Sequence, residues 1–183
     1  MLSTGQIEKR AERVLRDAGS MESPIDVEEV ARSLGVAVRF ESTSADVSGA
    51  LFRRGGRAII GVNPAHPPTR QRFTIAHELG HFMLHRDDLH MDEGNAYPNE
   101  SQTKHRLLRD KVSAQATDPK EIEANRFAAA LLMPAFMLKG TLGSCNLPLK
   151  QRDLEELAVR YEVSLQAMAF RLANLGVPID VSM

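Results

Sequence analysis

The sequence predicts an α+β fold in which a small sheet is set among helices. Apolar residues recur at helical spacing near the N-terminus and again from about residue 70 onward, and between these blocks the period changes to that of strands. The composition, 43% hydrophobic and 26% charged over 183 residues, is that of one compact globular domain with a modest core. No internal repeat or low-complexity tract interrupts it.

Ile7, Ala11, Val14 and Leu15 form an apolar stripe that predicts an amphipathic helix over residues 5–18, ended by Gly19. Asp26 and Glu29 have capping-box spacing and open a short helix that stops at Gly35. Residues 36–40 read as a strand, and 49–52 and 58–62 as the arms of a hairpin turning at Gly55-Gly56. Pro64, Pro67 and Pro68 close the sheet region, and a helix follows over about 70–85. Residues 86–118 form a polar connection whose length points to a functional role, such as a rim over a cleft. Asp118-Pro119 supplies an N-cap and a proline at the first helical position, so a helix runs from there to about Met133, just before Pro134. A loop holding Gly140, Gly143 and Pro148 leads to two more helices, near 151–161 and 165–175, closed by Gly176. This division gives a core over residues 1–140 and a C-terminal helical, helix-turn-helix-like segment over 141–183 packed on it.

A formal net charge of −1 offers no global attraction for nucleic acid, although residues 53–57 are locally basic. No segment approaches the roughly 20 apolar residues that cross a bilayer. The N-terminus lacks the apolar core of a signal peptide, and Cys145, the single cysteine, cannot form an internal disulfide. The expectation is a soluble cytoplasmic protein with no membrane partner.

The chemistry is concentrated in His77-Glu78-Leu79-Gly80-His81, an H-E-x-x-H motif in a helical setting. At roughly 100° per residue, His77 and His81 sit about 40° apart on one face, where two imidazoles reach one metal ion. Glu78 lies about 60° from His81 and can reach a metal-bound water without displacing a ligand. Ile75, Leu79, Phe82 and Met83 cluster on the opposite face and turn the histidines toward a cleft, while Gly80 is expected to leave room for substrate backbone. His85 continues the four-residue spacing but lies about 12 Å along the axis from His77, so packing or a hydrogen bond to a ligand is expected of it instead.

A catalytic zinc takes three protein ligands and keeps an open position. Glu121 and Glu123 both qualify, on opposite flanks of the stripe Ala124, Phe127, Ala128 and Leu131, and helical arithmetic does not choose between them. Asn125 shares the flank of Glu121, where it can hold the second nitrogen of a ligand histidine, which favours Glu121. Against this, Asp118 and Glu121 have capping-box spacing, so Glu121 can instead close the helix start.

The stretches RQRFTIAHELGHFMLH (70–85) and DPKEIEANRFAAALLMP (118–134) resemble the ImmA/IrrE family of metallopeptidases, as do IDVEEVARSLGV (25–36) and SGALFRRGGRAIIGVN (49–63). The resemblance implies a minimal gluzincin-like, zincin-type core. A small antiparallel or mixed sheet would pack on the H-E-x-x-H helix and a glutamate helix, with the C-terminal helices added. It implies Zn2+ on His77, His81 and Glu121, Glu78 as the catalytic residue and Asn125 as support for a ligand histidine. It also implies a protein substrate: a helix-turn-helix repressor whose cleavage derepresses stress or mobile-element genes. Tyr97 and His105, and also His90, are candidate oxyanion donors in the long connection.

Three rival readings remain at this level. LEELAVRYEVSLQAMAFRLANLG resembles a helix-turn-helix, yet its presumed recognition helix carries Arg171 as its only basic residue, so direct DNA binding is not expected. The others are a sensor with a non-catalytic zinc site and a peptidase of small peptides.

Overall fold

The computed structural model describes residues 1–42, 47–54, 57–85, 118–143, 145 and 147–180. Helix α1 (Thr4–Asp17) opens on a capping box the periodicity did not announce, in which Ser3 and Gln6 exchange side chain–backbone hydrogen bonds. It buries Ile7, Ala11, Val14 and Leu15, the predicted stripe. Helix α2 (Val27–Ser33) is capped by the Asp26 carboxylate, which accepts from the N–H groups of Glu28 and Glu29. The Glu29 carboxylate pairs with Arg32. Gly35, at φ 73°, ends the turn in the left-handed conformation that glycine tolerates.

Strands β1 (Val36–Phe40), β2 (Gly49–Arg54) and β3 (Arg57–Val62) form one mixed sheet in the order β1-β3-β2. β2 and β3 pair antiparallel as the expected hairpin, and β1 joins the other side of β3 in parallel. The turn at Gly55-Gly56 lies outside the described residues. Ala58, Ile60 and Val62 alternate along β3 and are buried. Helix α3 (Pro68–Leu84) lies against β2 and β3, and helix α4 (Pro119–Leu132) packs against both α3 and α1. Pro68, expected to close the sheet region, also starts α3, since its fixed φ and missing N–H suit the first turn.

Beyond Pro134 the chain departs from expectation. The segment expected to be a loop around Gly140 is helix α5 (Ala135–Leu142). Leu138 is fully buried there, and burying a leucine is worth about 1.5–3 kcal/mol, more than the roughly 1 kcal/mol that Gly140 costs a helix. Helices α6 (Gln151–Tyr161) and α7 (Leu165–Asn174) appear as expected, flanked by the short parallel pair β4 (Leu149–Lys150) and β5 (Ile179–Asp180), which has no periodic signal of its own. Their residues Leu154, Tyr161, Met168 and Leu172 share one core cluster with α1 and α4. Arg171 is only 4% exposed: its Nε donates to the Met133 carbonyl at 2.9 Å and its guanidinium pairs with Glu8 of α1. Between α6 and α7, Glu162 adopts φ 51° and its carboxylate meets Arg72 of α3 at 3.2 Å. Among the described residues no helix is long and apolar enough to cross a membrane.

Candidate metal centre

The site is built where α3 and α4 touch. A Cβ added to Gly80 would lie 2.9 Å from the Cα and 3.0 Å from the carbonyl oxygen of Ala124. Gly80 therefore does not open space for a substrate, as its position beside the histidines suggested. It lets two helix backbones meet, because the neighbouring face of α3 is covered by α4. That contact carries Glu121, one turn before Ala124, over the imidazoles of His77 and His81.

The three donor groups converge. His77 Nε2 lies 3.0 Å from His81 Nε2 and 3.2 Å from Glu121 Oε2, and His81 Nε2 lies 3.1 Å from Glu121 Oε1. A tetrahedral ion bound at about 2.0–2.1 Å has shell edges of about 3.3 Å, so two nitrogens and a carboxylate at these spacings are close to the size of such a shell. His77, His81 and Glu121 are each half-buried and together can hold a metal ion. Lone pairs this close repel unless a cation or a proton lies among them.

The electrostatics agree. Burial disfavours the charged form of His77, but hydrogen bonding to Glu121, the nearby charge of Glu78 and the contact with Asn125 outweigh it and raise its pKa. Burial likewise pushes the Glu121 carboxyl up, and the two imidazoles override it, holding that group far below the usual carboxylate range. A site that draws protons onto imidazole while keeping a carboxylate ionised is one that favours positive charge.

Each histidine is also fixed from behind. His77 Nδ1 donates to Asn125 Oδ1 at 2.9 Å, which leaves the neutral ring with a bare Nε2 lone pair on the side of Glu121. The Asp118 carboxylate caps the start of α4 through the Lys120 N–H, while Glu121 faces the histidines rather than closing the helix. Glu123 points elsewhere. Its side chain is 7% exposed, with one oxygen 3.0 Å from His85 Nε2 and the other accepting from the Leu2 N–H. His85 Nδ1 in turn lies 3.2 Å from His81 Nδ1, a contact that its four-residue spacing allowed. The part played by Leu2 had no signal in the sequence, because it joins residues far apart in the chain. Glu78 is half-buried beside His77. Tyr97, His105 and His90 lie outside the described residues.

Residues 31–173 match the IrrE N-terminal-like domain family, peptidase M78. The chain belongs to the ImmA/IrrE family. Two members named radiation response metalloprotease IrrE are similar to it. The protein of Deinococcus radiodurans is 37% identical over 123 residues, 63% of this chain and 31% of the relative. That of Deinococcus deserti is 34% identical over 121 residues, 66% of this chain and 37% of the relative. This ImmA/IrrE chain thus spans about a third of the length of these relatives. Its fold is also that of a Mycobacterium tuberculosis transcriptional regulator, with a TM-score of 0.62 at 17% identity over 92% of this chain and 46% of that one.

Proposed function

We propose that this chain is a zinc-dependent endopeptidase with a zincin-like core, its metal held by His77, His81 and Glu121. The observation that carries the reading is the convergence of two Nε2 atoms and one carboxylate at 3.0–3.2 Å, with His77 held by Asn125. Zinc, when bound, supplies the Lewis acid that polarises the scissile carbonyl and acidifies the attacking water. Glu78, next to His77 on α3, is the general base: its carboxylate takes the proton of that water and delivers it to the leaving amine. The edge strand β2 has backbone groups facing away from β3, to which an extended peptide can add by strand pairing. Tyr97 and His105 are the candidates for oxyanion stabilisation.

Family membership supports a protein substrate, and we take a helix-turn-helix repressor, cleaved to release stress or mobile-element genes, as the target class. The lone Cys145 fits a cytoplasmic setting, and residues 141–183 act as a helical buttress of the catalytic core. Direct DNA recognition by α6 and α7 is disfavoured, since the one basic side chain of α7 is turned into the protein.

Metal content and cleavage, measured on the same preparations, test this. Wild type and Glu78→Gln should each carry about one zinc per chain, whereas Glu121→Ala should lose it. Glu78→Gln should lose at least about 10²-fold in cleavage rate. A Glu78→Gln enzyme that cuts at the wild-type rate would refute the mechanism.

A further inference from the structure

We propose that His85 and Glu123 form a hydrogen-bonded relay that sets the tautomer and donor strength of His81, and so governs how tightly the site holds its metal. This rests on the reading of His77, His81 and Glu121 as ligands. With a neutral imidazole at His85, the chain of contacts takes one proton arrangement. The Glu123 carboxylate only accepts, taking the Leu2 N–H on one oxygen and His85 Nε2–H on the other at 3.0 Å. Neutral His85 then has a bare Nδ1, 3.2 Å from His81 Nδ1, which must carry the proton. His81 Nε2 is thereby left with its lone pair toward His77 and Glu121.

Backbone geometry makes this possible. His85 follows the last turn of α3, with φ −124° and ψ 54°, while its N–H still donates to the His81 carbonyl at 3.0 Å. The four-residue spacing from His81 already sets the two rings side by side, their centroids 5.3 Å apart. The side chains of His85 and Glu123 are 8% and 7% exposed, so water is a poor substitute for either partner. The two ligand histidines are therefore supported unequally. Asn125 offers His77 a neutral amide oxygen, whereas His81 is coupled through an imidazole to a buried carboxylate that makes it the stronger donor.

The test is zinc affinity of the full chain by chelator competition, together with the visible spectrum of the Co(II)-substituted protein. His85→Phe keeps the ring volume and removes the relay, so it should weaken zinc binding by about 10–100-fold and shift the cobalt bands. His85→Gln has an amide oxygen to accept from His81 and an N–H for Glu123, and should stay within about threefold of wild type. Glu123→Gln should fall between them. Nitrogen-15 spectra of the zinc-loaded wild type should show His85 protonated at Nε2 and His81 at Nδ1, a readout that no misfolded variant can obscure. His85→Phe and Glu123→Gln variants that bind zinc as wild type does, or a His85 protonated at Nδ1, would overturn the relay while leaving the ligand set intact. A wild type that binds no zinc would instead overturn the ligand set and the relay with it.

Discussion

Replacing Gly80 by alanine tests how the site is assembled. The added Cβ would sit 2.9 Å from Ala124 Cα, 3.0 Å from its carbonyl oxygen and 3.3 Å from its Cβ, where ordinary contacts lie at 3.4–4 Å. Two of these neighbours are backbone atoms, so relief requires α4 to retreat from α3 by about 0.5 Å or more. Overpacking of this kind costs about 1–3 kcal/mol, offset by the roughly 1 kcal/mol that alanine gains over glycine in a helix. The metal-free protein should therefore lose about 0–2 kcal/mol and up to about 8 °C in Tm. The larger effect falls on the site, because Glu121 moves with α4 and ligand distances tolerate only about 0.2 Å. Zinc affinity, measured by chelator competition, should fall at least about tenfold. Gly140→Ala is the control: a Cβ there meets nothing within 4 Å, so it should leave zinc affinity unchanged and slightly stabilise α5. A Gly80→Ala protein with wild-type zinc affinity and a raised KM would refute this reasoning and restore a substrate-facing role for Gly80.

Two further substitutions probe other parts of the structure. Asn125→Ala removes the acceptor 2.9 Å from His77 Nδ1 and should weaken zinc binding by about 10–100-fold with little change in metal-free Tm; isothermal titration would reveal an unchanged affinity if the contact is idle. Arg171→Leu strips Glu8 of its partner and the Met133 carbonyl of its donor, and should cost about 2–3 kcal/mol in urea unfolding, below the range for a fully buried pair because the Glu8 side chain is 26% exposed. A loss under about 0.5 kcal/mol would mean that the C-terminal helices are held by apolar packing alone.

What the sequence determined by itself was local. The four-residue stripe of α1, the cap of Asp26, the start at Asp118-Pro119 and the placing of His77 and His81 on one helix face all follow from helical periodicity and end chemistry among near neighbours. Helix α5 escaped because Gly140 reads as a break, and only the burial of Leu138 by distant residues outweighs it. The choice between Glu121 and Glu123 was likewise undecidable from spacing, since a helix presents both and its rotation is set by what it packs on. Tertiary structure separates the two: Ala124 seated on Gly80 turns Glu121 to the histidine pair and Glu123 to His85 and Leu2. A side-chain cluster drawn from two helices is a property of their crossing, and the residues that fix the crossing need carry no chemistry of their own.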